Sequence, residues 1–453
     1  MTGTARMLAA LPLAGFRKRV NHQGMNQNTR IARGQATVTT GNTGPPTPTG
    51  ELPGKGALSP AARSWLLAAL AVATIGWAAQ QFTPMLLLYQ SRLHLSSTEV
   101  QATFVPYVIG MIPGLMFGGP FSDRFGRRRV MVPTILASGL ATVLLIMGGS
   151  GFDWLLAGRL VSGMASGAGF SCGGAWIREL SASSGGSQHG PRRLTVAMGV
   201  GFGLGPLVAG VLAQWAPDPT VIAYLPQLAL VAIAFVCVLR APETRPPGSG
   251  GGMLRHLRVH EVRNRRFTMV VLPLAPWVYI SVVIAVGYLP VLVKSHISGY
   301  PIIFSAAVVV ANAGAGIFVQ PFARRMDASG PTRLRTSALT IVVVGLLTAA
   351  AAAALVQPVL VLLASLVLGA GYGCCQVYGL LEVHRLATPE HLAGLTAAYQ
   401  ALTYIGFMAS YPLAAIATSV QPGVVLVAVA VLAAATLAWT TYADAATAPA
   451  RAG

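Results

Sequence analysis

Residues 100–149 read VQATFVPYVIGMIPGLMFGGPFSDRFGRRRVMVPTILASGLATVLLIMGG. An apolar run from 100 to 121 meets a polar knot, Ser122 to Arg129, and a second apolar run follows from 130 to 149. Each run has the roughly 20 residues that a helix needs to cross a hydrocarbon core about 30 Å thick. Lipid offers the backbone no hydrogen-bond partners, so runs of this length must close their own bonds as helices. The pattern repeats along the chain. After Pro60, twelve such segments are expected, at about 64–88, 100–121, 130–149, 154–177, 194–214, 221–239, 268–292, 302–322, 335–356, 358–381, 393–415 and 422–442. The expected fold class is therefore an all-α membrane protein with twelve transmembrane helices.

Composition agrees. Of 453 residues, 54% are hydrophobic and 9% charged, whereas a soluble domain carries about 25% charged residues. The net charge of +19 does not read as a nucleic-acid surface, because the basic residues sit in short clusters between apolar runs. With the amino terminus in the cytoplasm, 28 of the 31 Lys and Arg fall on that side and only Arg92 and Lys294 in outer loops. That is the asymmetry of the positive-inside rule, and it puts both termini in the cytoplasm. Cys172, Cys237, Cys374 and Cys375 all lie in apolar runs without zinc-site spacing, and imply neither metal nor disulfide. No phosphate-binding loop, H-E-x-x-H or nucleophile elbow is present, so no enzyme activity and no cofactor is expected.

Residues 1–60, rich in Gly, Pro, Thr, Gln and Asn, read as a disordered basic tail in which translation could also start at Met25. Residues 61–240 and 268–442 read as two six-helix bundles, with a Pro/Gly-rich, then basic, cytoplasmic loop at 241–267 and a short tail at 443–453. The loop's basic part suits either a solvated linker or a membrane-surface stretch. The halves resemble copies. Pro120-Phe121 recurs at Pro321-Phe322, Leu194-Thr195 at Leu395-Thr396, and Gly205 at Gly406, each pair 201 residues apart. Internal repeats of this kind mark transporters whose bundles rock about a central site.

The knot itself, Gly119-Pro-Phe-Ser-Asp123-Arg124-Phe-Gly126-Arg127-Arg128, matches the loop motif G-x-x-x-D-R-x-G-R-R of the major facilitator superfamily at every specified position, between the second and third segments. The sequence resembles that family over about residues 62–442, and bacterial drug and metabolite exporters within it. The resemblance implies a gating role for Gly119, Asp123, Arg124, Gly126, Arg127 and Arg128. Physically, Gly126 permits a tight turn, and Asp123 can pair with a cation or a helix terminus across the seam between halves. The second-half counterpart is degenerate, with Arg324 where Asp123 stands.

Two weaker motifs follow. Leu155, Arg159, Ser162 and Gly163 are similar to the family motif L-x-x-x-R-x-x-Q-G, with Ser for Gln. The resemblance implies a coupling role for Arg159, the one formal charge well inside a segment. A snorkelling Arg near the outer end is the simpler alternative. Gly201, Gly205, Pro206 and Gly210 are similar to the antiporter motif, with Ala209 where Gly is usual and Arg192 where the first Gly would fall. Close helix packing accounts for them equally well. Polar and aromatic groups inside segments are cavity candidates: Gln80, Gln81, Tyr107, Asn312, Tyr372, Gln376, Tyr378, Tyr399, Gln400 and Tyr404. No Asp, Glu or His sits mid-segment. Glu179 and Glu382, at corresponding inner ends, are the proton-coupling candidates, although Arg178 and Arg385 beside them also suit plain surface ion pairs. The expected protein is a monomeric, multi-pass, proton-coupled antiporter of a bacterial-type inner (plasma) membrane, exporting small hydrophobic or drug-like molecules. Uptake by proton symport, or a non-transporting sensor on the same scaffold, are the alternatives.

Overall fold

The computed structural model describes residues 60–183, 189–246, 260–388 and 391–447. Residues 1–59 of the tail, 184–188, 247–259 of the central loop, 389–390 and 448–453 lie outside them. The described chain is helical throughout. In order it forms α1 (Pro60–Arg92), α2 (Ser97–Phe125), α3 (Arg127–Met147), α4 (Phe152–Ser183), α5 (Gly190–Trp215) and α6 (Pro219–Arg240), then α7 (Phe267–His296), α8 (Pro301–Ser329), α9 (Pro331–Leu355) and α10 (Pro358–Leu386). α11 runs from Leu392 to Ile416 through a 3-10 turn at Gly406–Ala409, and α12 covers Pro422–Thr447.

Among the described residues, ten of these are long and apolar enough to cross a membrane. α4 and α11 fall short of that measure for physical reasons. α4 carries Asp153, Arg159, Arg178 and Glu179 and is rich in glycine, while α11 is broken by its 3-10 turn.

Corners are set by local chemistry. Ser96 and Glu99 form a reciprocal cap at the start of α2, the Glu99 amide donating to Ser96 Oγ at 3.2 Å and the Ser96 amide to Glu99 Oε2 at 2.8 Å. Between α2 and α3 the chain turns at Gly126, whose φ of 102° suits glycine alone. The equivalent corner between α8 and α9 turns at Gly330, φ 150°. Repeat symmetry extends to ring ladders: Phe117, Phe121 and Phe125 follow one another in contact along the end of α2, and Phe318 and Phe322 along α8.

Close approach within each half depends on missing side chains. α2 lies directly on α4, such that a Cβ at Gly114 would sit 2.6 Å from the Met164 carbonyl oxygen, and one at Gly118 2.6 Å from Ala168 Cα. α1 and α5 meet the same way at Gly201 and Gly205, where a Cβ on Gly205 would lie 2.8 Å from the Trp77 oxygen. Small residues let backbones come this near without an apolar driving force. α5 stays helical through Pro206.

The last six helices contain the irregular elements. α7 includes two π-helical turns, Phe267–Val271 and Ile284–Tyr288. α11 tightens at Gly406, which packs on the backbone of Pro276 and Ile280 in α7. π-turns recur at functional sites, and here these irregular stretches flank Tyr279, Tyr404 and Phe407, which stack on one another.

The α2–α4 contact gives a test. Gly114→Val is expected to lower the thermal midpoint sharply or abolish the monodisperse protein, overpacking being worth about 1–3 kcal/mol. Gly203→Ala, with nothing within 4 Å of the added methyl, should leave the midpoint unchanged. Equal stability of the two variants would show that α2 and α4 are free to separate.

Candidate transport cavity and charged corners

The halves are joined at the end away from the basic loops. There Gln101 Nε2 donates to the Gly287 oxygen at 2.8 Å, and Lys294 Nζ donates to Gln90 Oε1 at 2.8 Å. Gln214 Nε2 donates to the Gly299 oxygen at 2.9 Å, and its Oε1 accepts from the Ile302 amide at 3.2 Å. Just inside this seal, Phe104 of α2 stacks on Phe407 of α11 with centroids 6.0 Å apart, and Tyr107 meets Phe407 edge-on at 6.2 Å.

A cavity adjoins the seal. Its walls are Ala79, Gln80 and Thr83 of α1, Phe104 and Tyr107 of α2, Arg159 and Phe170 of α4, and Phe202 of α5. Tyr279 and Val282 of α7, Asn312, Ala313 and Ile317 of α8, Tyr372 of α10, and Tyr404 and Phe407 of α11 complete it. Arg159 is the only formally charged residue among them. It does not snorkel: the residue is 2% exposed, and its guanidinium lies over the rings of Tyr107, Phe82 and Phe104 at 4.1, 4.6 and 5.6 Å.

Of the polar and aromatic candidates, Gln80, Tyr107, Asn312, Tyr372 and Tyr404 line this cavity. Asn312 also donates to the Ser365 oxygen at 3.0 Å. The remainder lie away from it and, Tyr378 excepted, bond between or within helices. Gln81 accepts from Trp77 Nε1 at 3.1 Å, Gln376 Nε2 donates to Gln400 Oε1 at 2.9 Å, and the Tyr399 hydroxyl donates to the Cys375 oxygen at 3.2 Å. Tyr378 is buried near Glu382. Sequence reasoning missed Tyr279, Thr83 and the four phenylalanines. A tyrosine inside an apolar segment was a readable signal for Tyr279. Phenylalanines in lipid-length runs carry none, since lipid-facing and cavity-facing rings look alike.

At the basic end each half closes on itself. In the first, Arg127, 3% exposed, pairs with Asp123 at 2.6 Å and with Glu179 at 2.8 Å. It also donates to Ser122 Oγ. Asp123 thus bonds within its own half, not across the seam as the sequence allowed. The helix-terminus role belongs instead to Glu243, which accepts from the Arg127 and Arg128 amides at 2.8 and 2.9 Å and so caps α3. The strap after α6 laces the corner further. The Pro242 oxygen accepts from Trp176 Nε1, and Thr244 and Arg245 both donate to Glu179. Arg124 lies over Phe125, and Arg128 Nη1 reaches the Leu239 oxygen at 3.2 Å. A Cβ on Gly119 would meet Ser171 Oγ at 2.8 Å.

In the second half, Glu382 is 1% exposed and pairs with Arg266 and, at 3.1 Å, with Arg385. Arg385 also pairs with Asp327, which supplies the carboxylate that the degenerate motif lacks at Arg324. Asp444 pairs with Arg266 and with the fully buried Arg335, both at 2.9 Å. Glu382 is therefore no surface pair, and Glu179 pairs with Arg127 and Arg245 rather than with Arg178. Glu179 lies beyond the apolar run 154–177. Burial pushes its carboxyl upward, but hydrogen bonds from Arg127 and Thr244 outweigh that and hold it below the ordinary 4.5. Its contribution to stability is present at neutral pH and is lost only as pH falls through that lowered value.

Gly201 and Gly205 serve the α1 contact described above, and a Cβ on Gly210 would lie 2.5 Å from Ala306 of α8. The antiporter-like glycines therefore pack α5 against both halves.

The sequence profile of the Major Facilitator Superfamily matches residues 66–411. The chain belongs to that superfamily and is a multi-pass membrane transporter. No curated sequence matches the chain. Among solved structures it is similar to the nucleoside transporter NupG, with a TM-score of 0.69 at 11% identity over 84% of this chain and 99% of that one. It is also similar to an auto-inhibited peptide transporter of the POT family, at 0.64 and 13%, covering 84% and 97% of the two chains. The human organic anion transporter MFSD10 follows, at 0.57 and 16%, covering 84% and 99%. At such identities the likeness is one of fold.

The corner geometry predicts that Glu243→Ala uncovers two amides. Hydrogen exchange at the Arg127 and Arg128 amides should accelerate by about tenfold or more, a lost charged cap being worth roughly 1–2 kcal/mol. Unchanged exchange there would mean that the α3 terminus is held by something else.

Proposed function

We propose that the protein is a secondary active transporter that exports small, mostly apolar molecules by alternating access, with protons entering as the cargo leaves. The observation that supports this best is the aromatic cavity between the halves, adjoining a seal at the end away from the basic loops. On this reading all twelve helices cross a bacterial-type inner (plasma) membrane and both termini are cytoplasmic. The seal then faces the periplasm, and the structure is the inward-facing member of the cycle.

The charged corners suit such a cycle. Because their ion pairs lie within each half, the two basic ends can part and close as units. Glu382 holds two arginines at once, and Glu179 stands in the corresponding place in the first half. Of the coupling candidates Arg159, Glu179 and Glu382, Glu179 is held ionised by Arg127 and Thr244, so it can take up a proton only in a state in which that corner has opened. Asp123, through Arg127, keeps the first corner assembled. The transporters of similar fold are named for nucleosides, peptides and organic anions, and one fold hosting different cargoes is the usual case.

The test is flux in vesicles holding the purified full-length protein, with neutral, anionic and cationic compounds and an imposed pH gradient. Cargo is expected to move against the proton flow. Movement with the protons would replace export by symport, and movement indifferent to pH would remove the proton from the cycle. Asp123→Asn is expected to insert normally and to lose at least about nine-tenths of the flux, roughly the 1.4 kcal/mol of a tenfold change; full activity would end its gating role.

A further inference from the structure

We propose that Arg159 seats the charged group of the cargo, and that the cargo is an amphiphilic organic anion: one carboxylate-type group on an apolar or aromatic body. The proposal rests on the transport reading above and names the substrate class of the same cavity.

The argument starts from a contrast within the chain. Three arginines among the described residues are almost wholly buried. Arg127 has two carboxylates and Arg335 has one. Arg159 has none. Its Nε donates to the Thr103 oxygen at 3.3 Å, and its Nη1 has no hydrogen-bond partner. An arginine stays charged under all ordinary conditions, and a buried charge without a counter-ion is strongly disfavoured. Elsewhere this protein meets that demand with its own acids. In the cavity it does not, although the side chain reaches the cavity wall.

What surrounds Arg159 holds the cation without neutralising it. Three aromatic rings lie within 5.6 Å of Cζ, an arrangement that orients a guanidinium and keeps it weakly hydrated. The planar fork is then left to meet a planar, two-oxygen anion, for which it is geometrically matched. A sulfonate, likewise a monoanion, offers similar oxygens, whereas a phosphate monoester dianion would leave one charge unpaired, because the cavity walls offer no second cation. A cationic cargo would face Arg159 with no acid to hold it. The rest of the cavity suits the body of such a molecule. Tyr279 stacks against Tyr404 and Phe407 at 4.3 and 4.6 Å, and Gln80, Thr83 and Asn312 supply a few polar contacts.

The position also links loading to the gate. Phe104 is both a wall of the Arg159 cage and the ring that stacks on Phe407 across the seam. An anion arriving at the guanidinium therefore meets the ring that stacks just inside the seal.

The experiment uses matched acid, amide and ammonium probes on three bodies, benzyl, naphthyl and octyl. Binding to the purified full-length protein is measured by calorimetry. At least one acid is expected to bind about tenfold or more tighter than its neutral amide, as a charge-assisted pair requires, with the ammonium weakest. Arg159→Gln should erase the acid-over-amide preference, and Arg159→Lys should keep part of it, because charge survives while the fork is lost. Amides or ammonium probes binding as tightly as the acids, an unchanged preference in Arg159→Gln, or no acid binding at millimolar concentration would each overturn the proposal. If Arg159→Gln fails to fold, the acid–amide comparison in the unaltered protein decides alone. The outcome separates from that of the flux test: acids that bind but are never moved would sink the transport reading and leave this site, while neutral compounds driven by protons past a site blind to acids would do the reverse.

Discussion

Hydrocarbon cannot solvate polar groups, and nearly every feature of this protein answers to that constraint. The backbone satisfies itself as helix. Helices approach by losing side chains, as at Gly114 and Gly118 on α4 and at Gly201 and Gly205 on α1. Many of the charges gather at helix ends, where they find an opposite charge or a helix terminus. Glu243 on the α3 amides and Glu382 between Arg266 and Arg385 are the fullest cases.

Against that background the distribution of contacts along the seam has meaning. Ion pairs at the basic end tie helices together within a half. Among the described residues, the hydrogen bonds that join the halves gather at the other end, where they use glutamine side chains, one lysine and backbone carbonyls. The neutral ones are worth about 0.5–1.5 kcal/mol each, and the charge-assisted one from Lys294 about 1.5–3 kcal/mol. A seal built from a few of them, with stacked rings behind it, is firm enough to close a pathway and weak enough to reopen. The corners, with buried arginines between carboxylates, are the stiffer parts. Arg159 stands apart as the charge whose partner the chain does not supply.

Much of this was legible in residue order. Apolar runs of spanning length, the knot at 119–128 and the 201-residue repeat led to the helices and to the family. Gln80, Tyr107, Asn312, Tyr372 and Tyr404 were found by asking which polar groups lie inside segments. The same question also brought in Gln81, Gln376, Tyr378, Tyr399 and Gln400, which lie away from the cavity. A helix–helix hydrogen bond and a substrate contact require the same residue types, and only the rotation of each helix separates them. Asp123 met its partner one turn along its own chain instead of across the seam, and Glu382 proved buried rather than superficial, because the depth of a helix end depends on what its neighbours cover.

The sequence by itself determined that this chain is a helical membrane protein with basic loops along one face and a gate-like motif between α2 and α3. Period, length and charge are local properties, and the bilayer reads them directly. Only the tertiary structure decided at which end the hydrogen bonds among the described residues join the halves, that Glu243 rather than Asp123 caps α3, and that Arg159 lies caged by aromatic rings at a cavity instead of reaching for the surface. Those facts depend on side chains more than 50 residues apart meeting at a set distance, and no local pattern encodes that.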